Sequence, residues 1–477
     1  MEPDALLAPP VVAVVVVHVP GPWFDEALAS LAAQDYPNLN TLFLLTGGPL
    51  DAEGVDLQQR ILGRLPDAFV RDLGVDPGYG VAANEVLRLV EGDAGFFCFC
   101  HDDVAMEADA IRLLVEELYR SNAGAVGPKL VDWDDPAVLQ HVGLGMDRFG
   151  EIDPITEPGE YDQEQHDAVR DVFVLPSACL LVRADLFRVV GGFDPGIDFH
   201  GDDVDLCWRL HLSGARVIVA PQARARHREQ LEVRRPDLNH AVLRARHRMR
   251  SVATLTGGRR LATRSVELVL LTVAELVVGL FTGRFGEAWA TLRALVGLVP
   301  RAPALLARRG AVAKFRHVPD SEVIDLQNRG SARLTSYLRS RDTETYVGEQ
   351  TSVRRWREST LGGTLSWIVL VLAVLLASRT LIDTRVPAIG ELLPLPASPG
   401  DLWDMFRSGW NPNGLGGSEA NPTAWGLLPL VSVLWGFRMG LGLTVIVIGL
   451  VLLGIVGTWR LATLFPSTRA RLTATIV

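Results

Sequence analysis

The strongest constraint on this chain is an alternation that runs through roughly its first 230 residues. Short apolar runs at 11–17, 41–45, 68–73, 95–100, 172–182 and 216–220 are separated by stretches with the apolar spacing of helices, at 23–33, 57–64, 81–90, 108–121 and 204–213. A continuous apolar run of this length, bounded by turn residues, reads as a strand buried on both faces. Strands and helices in regular succession bring each strand back beside an earlier one, because the crossover helix packs on the sheet it has left. The expected fold class is therefore α/β, a mainly parallel sheet flanked by helices. Such sheets bind ligands beyond the carboxyl ends of their strands. The loops after the strands are where chemistry is expected.

The remaining sequence differs in kind. Residues 233–317 carry sixteen basic side chains against four acidic ones. Within them, 265–282 is an apolar helix interrupted by Glu267 and Glu275, with arginines on both flanks. A spanning helix would leave one basic flank outside the membrane, against the positive-inside tendency. These are expected to be amphipathic helices lying on the inner membrane face, with Arg meeting anionic lipid. Residues 318–360 read as a polar linker. Residues 361–477 hold the membrane signal: 364–382 and 441–459 approach the length a bilayer requires, and 423–437 is shorter. Arg354, Arg355 and Arg357 put the start of the first span inside, and 383–421 would face outward. Three spans would leave Arg460, Arg469 and Arg471 outside, so two or three spans are expected, and 472–477 read as an interrupted apolar run. The expected location is the plasma membrane, multi-pass, with residues 1–232 in the cytoplasm. The run 11–17 is no secretory signal: Glu2 and Asp4 precede it, and it is too short to span.

Composition narrows the function. Charged residues are 21% of the chain, which excludes bulk disorder, and a net charge of −10 gives no reason to expect nucleic acid as a partner. Cys98, Cys100, Cys179 and Cys207 form no C-x-x-C pair and read as reduced core thiols rather than a zinc site or a disulfide framework.

Three stretches carry chemistry. His101-Asp102-Asp103 follows an apolar strand and offers carboxylate and imidazole ligands that suit Mg²⁺ or Mn²⁺ beside a diphosphate. Asp202, Asp203 and Asp205 crowd three acids into four positions, which raises at least one pKa and suits a general base. The helix dipole accounts for such acids equally, and Asp205 can simply pair with Arg209 one turn on. His227 follows the last strand among Arg224, Arg226 and Arg228, directed to the same edge as both acidic sites. A rival motif is Gly78-Tyr79-Gly80-Val81-Ala82-Ala83 with Asp102 further on, which fits the dinucleotide fingerprint. That fingerprint belongs at the first strand of its domain, and here two strands precede it.

Taken in order along the chain, these pieces resemble the family 2 glycosyltransferases, which have a GT-A fold. The matching segments are the strand at 11–17, the stretch 30–39, Gly78-Tyr79-Gly80 with Asn84, His101-Asp102-Asp103, Gly192-Phe193-Asp194, Asp202 to Cys207, and Pro221 followed by His227. The resemblance covers residues 8 to about 230 and implies a GT-A-like domain over 1–232. It implies Asp103 as the best metal ligand, joined by His227 and His101. It implies a catalytic base at Asp202-Asp203, with Asp203 favoured, and Asp76, Gly78, Gly80, Asn84 and Asp102 near the nucleotide-sugar. The implied reaction moves a sugar with inversion from a nucleotide-diphosphate sugar to a lipid-linked or polysaccharide acceptor, with Mn²⁺ or Mg²⁺ as cofactor. Two departures stand out: Thr46 occupies the place of the usual base-binding Asp, and His101 that of the first acid of the metal motif. They motivate the alternative of a non-catalytic sugar-nucleotide-binding scaffold in a membrane polysaccharide assembly.

Overall fold

The structure is a computed structural model that describes residues 8–51, 54–90, 95–229, 231–282, 285–328, 371–384, 395–410, 416–418 and 421–461. The chain divides into two compact units, Met1–Arg341 and Asp342–Val477.

Among the described residues, the first unit holds twelve strands: β1 Val11–Val17, β2 Leu39–Leu45, β3 Phe69–Asp72, β4 Phe96–His101, β5 Val104–Met106, β6 Ala125–Asp132, β7 Leu139–His141, β8 Leu144–Met146, β9 Ile152–Pro154, β10 Arg170–Asp171, β11 Cys179–Arg183 and β12 Val217–His227. Ten of them form one sheet in the order β10-β12-β6-β11-β4-β1-β2-β3, with β5 on β12 and β7 on β6. From β3 to β4 the sheet is parallel, and β12 runs parallel to β6. Between these blocks β11 runs antiparallel to both neighbours, so the sheet as a whole is mixed.

β1 shows why its sequence is uninterrupted. Val12, Val14 and Val16 enter one hydrophobic cluster, while Val11, Ala13, Val15 and Val17 enter the cluster on the opposite face. Helices Phe24–Ala32, Leu57–Leu62 and Ala110–Arg120 cover the second face. Helices Ala184–Val189, Asp202–Leu212 and His240–Leu255 cover the first. Cys98, Cys100, Cys179 and Cys207 are buried free thiols in these clusters.

The expected strand 172–182 is broken: only its second half forms β11, because Pro176 lacks an N–H for the ladder. The expected strand 216–220 continues to His227. The register between β12 and β6 shifts between Ala220 and Arg224, which lets the chain pass Pro221 and resume pairing. Strand β6 was not anticipated at all.

The basic helices are not detached from this unit. Helix His240–Leu255 places Ala245, Met249, Val252 and Leu255 in the first hydrophobic cluster. Arg308 lies 3.5 Å from Asp194 and 3.8 Å from Asp205, and Arg309 donates to the Ala253 carbonyl. Part of the expected linker also packs here: Val323 is buried, and Asn328 N donates to the Met146 carbonyl at 2.8 Å. The rest of that linker, from 329 on, lies outside the described residues.

Among the described residues, two helices are long and apolar enough to cross a membrane, Trp289–Ala313 and Met439–Thr458. The first belongs to the sheet-bearing unit, and its C-terminal end is held there by Arg308 and Arg309. The second lies in the other unit, as does the shorter Thr423–Trp435. Of the expected span 364–382, residues 364–370 lie outside the described residues; 371–377 and Arg379–Thr384 are helical.

Candidate active site

The parallel strands β1, β2 and β4 deliver their carboxyl ends to one rim, and antiparallel β11 delivers its amino end to the same rim. A cavity of about 830 Å³ lies there. It is lined by His18, Thr46, Asp76, His101, Asp102, Asp103, Ser177, Asp202, Asp203 and His227, among others. The separated stretches singled out in the sequence therefore converge.

Asp103 and His227 meet because β4 reverses at Asp102-Asp103 into β5, and β5 pairs with the end of β12, setting His227 opposite Val104. Arg228 N donates to the Asp103 carbonyl at 3.1 Å and locks the turn. His227 Nε2 lies 3.6 Å from Asp103 Oδ1, and His101 Nδ1 lies 3.8 Å from the same oxygen. Ligand atoms of the three side chains all fall within 4.8 Å of one another.

Gln140 decides which imidazole nitrogen faces the acid. Its Nε2 donates to Glu229 Oε2 at 3.0 Å, so its Oε1 accepts from the His227 Nδ1–H at 2.8 Å. Nε2 of His227 is left buried, with no hydrogen-bond partner among the described residues, facing a carboxylate oxygen. An imidazole nitrogen and a carboxylate oxygen turned toward one position in a buried site suit a cation, and an outer hydrogen bond on the other ring nitrogen is the usual companion of a metal-binding His. The donor set of two imidazoles and one carboxylate fits a divalent ion with positions left for substrate oxygens. Replacing Gln140 with Leu is expected to weaken Mn²⁺ binding ~10–100-fold without unfolding the protein. Mn²⁺ titration followed by electron paramagnetic resonance checks this, and unchanged affinity contradicts it.

The electrostatics separate the two acids of the turn. Burial pushes the Asp103 carboxyl up, yet His227 and the Arg234 guanidinium beside it hold it below the usual carboxylate range. Burial dominates at Asp102 and pushes it up despite Arg234. Burial also pushes His101 down to about 3, which keeps its imidazole neutral. Asp102 accepts from the His18 backbone N–H and from Arg234 Nη1, both at 3.0 Å. Arg234 Nη2 reaches Asp103 Oδ2 at 3.4 Å.

Asp202 and Asp203 begin the helix Asp202–Leu212, behind His200 at φ 61° and Gly201 at φ 92°. The left-handed His200 is a strained conformation of the kind that clusters at functional sites. Burial, and then the neighbouring Asp202, push the Asp203 carboxyl up to about 7. Asp205 faces the other way. It and Arg209 are fully buried, joined at 2.6 Å, and Arg209 also donates to the Val190 and Gly192 carbonyls. Asp205→Ala strands that guanidinium and should cost ~3–5 kcal/mol of stability. Chemical denaturation of the variant measures it, and a loss within ~0.5 kcal/mol, typical of a surface change, would contradict it.

Asp76 lines the cavity; Gly78, Gly80 and Asn84 do not. Their roles in the fold are local. A Cβ on Gly78 would lie 2.6 Å from the Asp198 carbonyl oxygen, and one on Gly80 would lie 2.9 Å from Phe193 Cβ. Asn84 exchanges two hydrogen bonds with the Phe193 backbone, at 2.8 and 2.9 Å. Thr46 Oγ1 donates to the Val17 carbonyl at 3.1 Å and accepts from His18 Nδ1 at 3.2 Å. Sequence reasoning missed His18, Gln140 and Arg234. The position of His18 directly after β1 was the available signal; Gln140 sits in a three-residue strand that gave none.

Residues 9–264 match the family model described as glycosyltransferase like family 2. Over 254 residues, 48% of this chain and 79% of the relative, the chain is 30% identical to the N-acetylglucosaminyl-diphospho-decaprenol L-rhamnosyltransferase of Mycobacterium tuberculosis. Over 123 residues, 24% of this chain and 26% of the relative, it is 34% identical to the pre-mycofactocin glycosyltransferase of the same organism. Among solved structures, GalNAc-T7 with UDP, GalNAc and Mn²⁺ is similar at a TM-score of 0.43 and 12% identity, over 52% of this chain and 48% of that one.

Proposed function

The chain belongs to glycosyltransferase family 2, and on that premise we propose that it transfers a sugar, with inversion and with a divalent cation, from a nucleotide-diphosphate sugar to a lipid-linked or cell-envelope glycan acceptor. The observation that carries this reading is one cavity holding both an acid–imidazole cluster and a carboxyl whose pKa is pushed up to about 7.

Asp103, His227 and His101 are the residues that would hold Mn²⁺ or Mg²⁺, which supplies positive charge to stabilise a leaving diphosphate. The nucleoside end of the donor is assigned to His18, Thr46 and Asp76, at the ends of β1 and β2 and after β3. Thr46 already donates to Val17, so polar recognition of the base falls to His18 and Asp76 in place of the acid the family usually has. Arg234, between Asp102 and Asp103, offers a guanidinium to a phosphate oxygen. The acceptor hydroxyl gives its proton to Asp203 as it attacks the anomeric carbon. One base and one displacement invert that centre.

The membrane assignment follows from surface chemistry. Helix Gly258–Thr282 exposes Val266, Val269, Leu270 and Val273, spaced as one stripe, just after Arg259 and Arg260. An apolar stripe with arginines beside it suits an anionic leaflet. Met439–Thr458 is assigned as a spanning anchor, within a multi-pass region of two or three spans.

The test uses full-length protein in lipid nanodiscs, a panel of nucleotide-diphosphate sugars, Mn²⁺ and a prenyl-diphosphate-linked sugar. The expected result is metal-dependent release of nucleoside diphosphate and a product of inverted anomeric configuration. A retained configuration contradicts the mechanism. Metal-dependent binding of a donor with no release of nucleoside diphosphate favours the scaffold alternative.

A further inference from the structure

The cavity has a second end that the reaction above leaves unexplained. Helix His240–Leu255 turns one face into it, carrying Arg244, Arg248 and Ser251 at one-turn spacing, with Ala241 and Ala245 between. Two polar atoms on this face are buried and lack hydrogen-bond partners among the described residues: Arg248 Nε, on a side chain 9% exposed, and Ser251 Oγ, on a residue 1% exposed. Buried donors are rarely left unmade without a ligand or an ordered water. Arg248 also pairs with Glu151, and its Nη2 donates to Thr291 Oγ1 at 3.4 Å. Facing this side of the helix is the β8–β9 hairpin, whose Leu144, Ile152 and Pro154 line the same cavity. The hairpin is held close: a Cβ on Gly150 would lie 2.9 Å from Val252 Cγ2 and 3.2 Å from Arg248 Cγ. The cavity thus has acids for a cation at one place and, at another, arginines and a hydroxyl beside an apolar wall.

We propose that Arg248 and Ser251, with Arg244 at the mouth, seat the diphosphate of a prenyl-diphosphate acceptor, whose first apolar carbons lie against Leu144, Ile152 and Pro154. A guanidinium fork and a hydroxyl match phosphate oxygens, and the hairpin matches what a neutral glycan would not present. Glu151 holds Arg248 until the diphosphate takes its place. This assignment rests on the transferase reading and names the acceptor class for it.

The probe is farnesyl diphosphate, titrated into full-length protein in detergent, with farnesol, inorganic pyrophosphate, and UDP with Mn²⁺ as comparison arms. Arg248→Gln should weaken farnesyl diphosphate ~10-fold or more, as expected for the loss of a charge-assisted pair. Glu151→Gln should tighten it, since Glu151 competes for the guanidinium. UDP with Mn²⁺ should bind both variants as it binds the parent. Ser251→Ala, which removes one oxygen, should cause a smaller loss in the same direction and serves if Arg248→Gln does not fold. Four results overturn the proposal: farnesyl diphosphate binding no better than farnesol, inorganic pyrophosphate binding as tightly as farnesyl diphosphate, Arg248→Gln weakening UDP equally, or Glu151→Gln weakening farnesyl diphosphate. If UDP with Mn²⁺ binds the parent and farnesyl diphosphate does not, the acceptor site falls and the transferase reading stands. If UDP and every other nucleoside diphosphate fail to bind, the transferase reading itself falls.

Discussion

Replacing Asp203 with Asn should lower turnover ~10²–10⁴-fold, the range a positioned general base contributes, while leaving binding of the nucleotide and Mn²⁺ intact. The separation follows from geometry: Asp203 begins a helix at the cavity wall, whereas the residues proposed to hold the cation are on the β4–β5 turn and the end of β12. The pH profile adds a second readout. A base must be deprotonated to act, so with its carboxyl pushed up to about 7, the rate should rise with pH through about 7 and level off above it. Asp202→Asn removes the neighbouring charge that contributes to the shift, so the rise should move to lower pH. The same shift has a stability consequence of definite sign. Between the ordinary carboxyl range and about 7 the folded protein binds a proton that the unfolded chain does not, so stability falls as pH rises through that window. Asp203→Asn carries no such charge and should melt higher than the parent at pH 8. A variant that is both inactive and more thermostable is the signature of a destabilised catalytic carboxyl. A pH-independent rate, or full activity in Asp203→Asn, contradicts the assignment.

Asp103→Ala and His227→Ala should each reduce Mn²⁺ affinity, measured in the presence of a nucleoside diphosphate, by more than the ~10–100-fold expected for Gln140→Leu, because they remove ligands rather than a group that orients one. Their effects should not add. His227 Nε2 and Asp103 Oδ1 face one position 3.6 Å apart, so once one is lost the ion gains little from the other, and groups sharing one partner are coupled. The double variant should therefore bind Mn²⁺ about as weakly as the worse single one. Calorimetric titration measures all three. Equal and additive small losses would mean that the pair merely shapes the turn.

How much of this was legible in the sequence depended on whether each residue's partner was local. β1 was readable because burial on both faces demands an unbroken apolar run. The acids at 102–103 and 202–203 were readable because they directly follow a strand or open a helix. β6 was hidden because its sequence, Ala125 to Asp132, contains Gly127, Pro128 and Lys129. Gly127 and Lys129 are explained only by distant contacts. A Cβ on Gly127 would lie 2.6 Å from Leu175 Cδ2, and Lys129, 2% exposed, is neutralised by Asp162 and Asp167. The extension of β12 past Pro221 was hidden because its pairing partners there are β5, a three-residue strand with no pattern of its own, and β6, itself unread. Arg234 and Gln140 escaped for the same reason: one reaches back 132 residues to Asp102, the other forward 87 to His227. The helices at 240–313 read as a membrane-facing extension from their charge, and the anchoring of Arg250 and Arg308 on Asp194, at 2.9 and 3.5 Å, is again a long-range fact.

The most direct test of the account is to locate the ion. A structure of the full chain with UDP and Mn²⁺, with the metal placed by its anomalous scattering, should show density between Asp103 Oδ1, His227 Nε2 and the diphosphate, with the Asp203 carboxylate across the same cavity. Metal bound elsewhere, or a diphosphate seated away from the β4–β5 turn with Asp103 and His227 untouched, would contradict it.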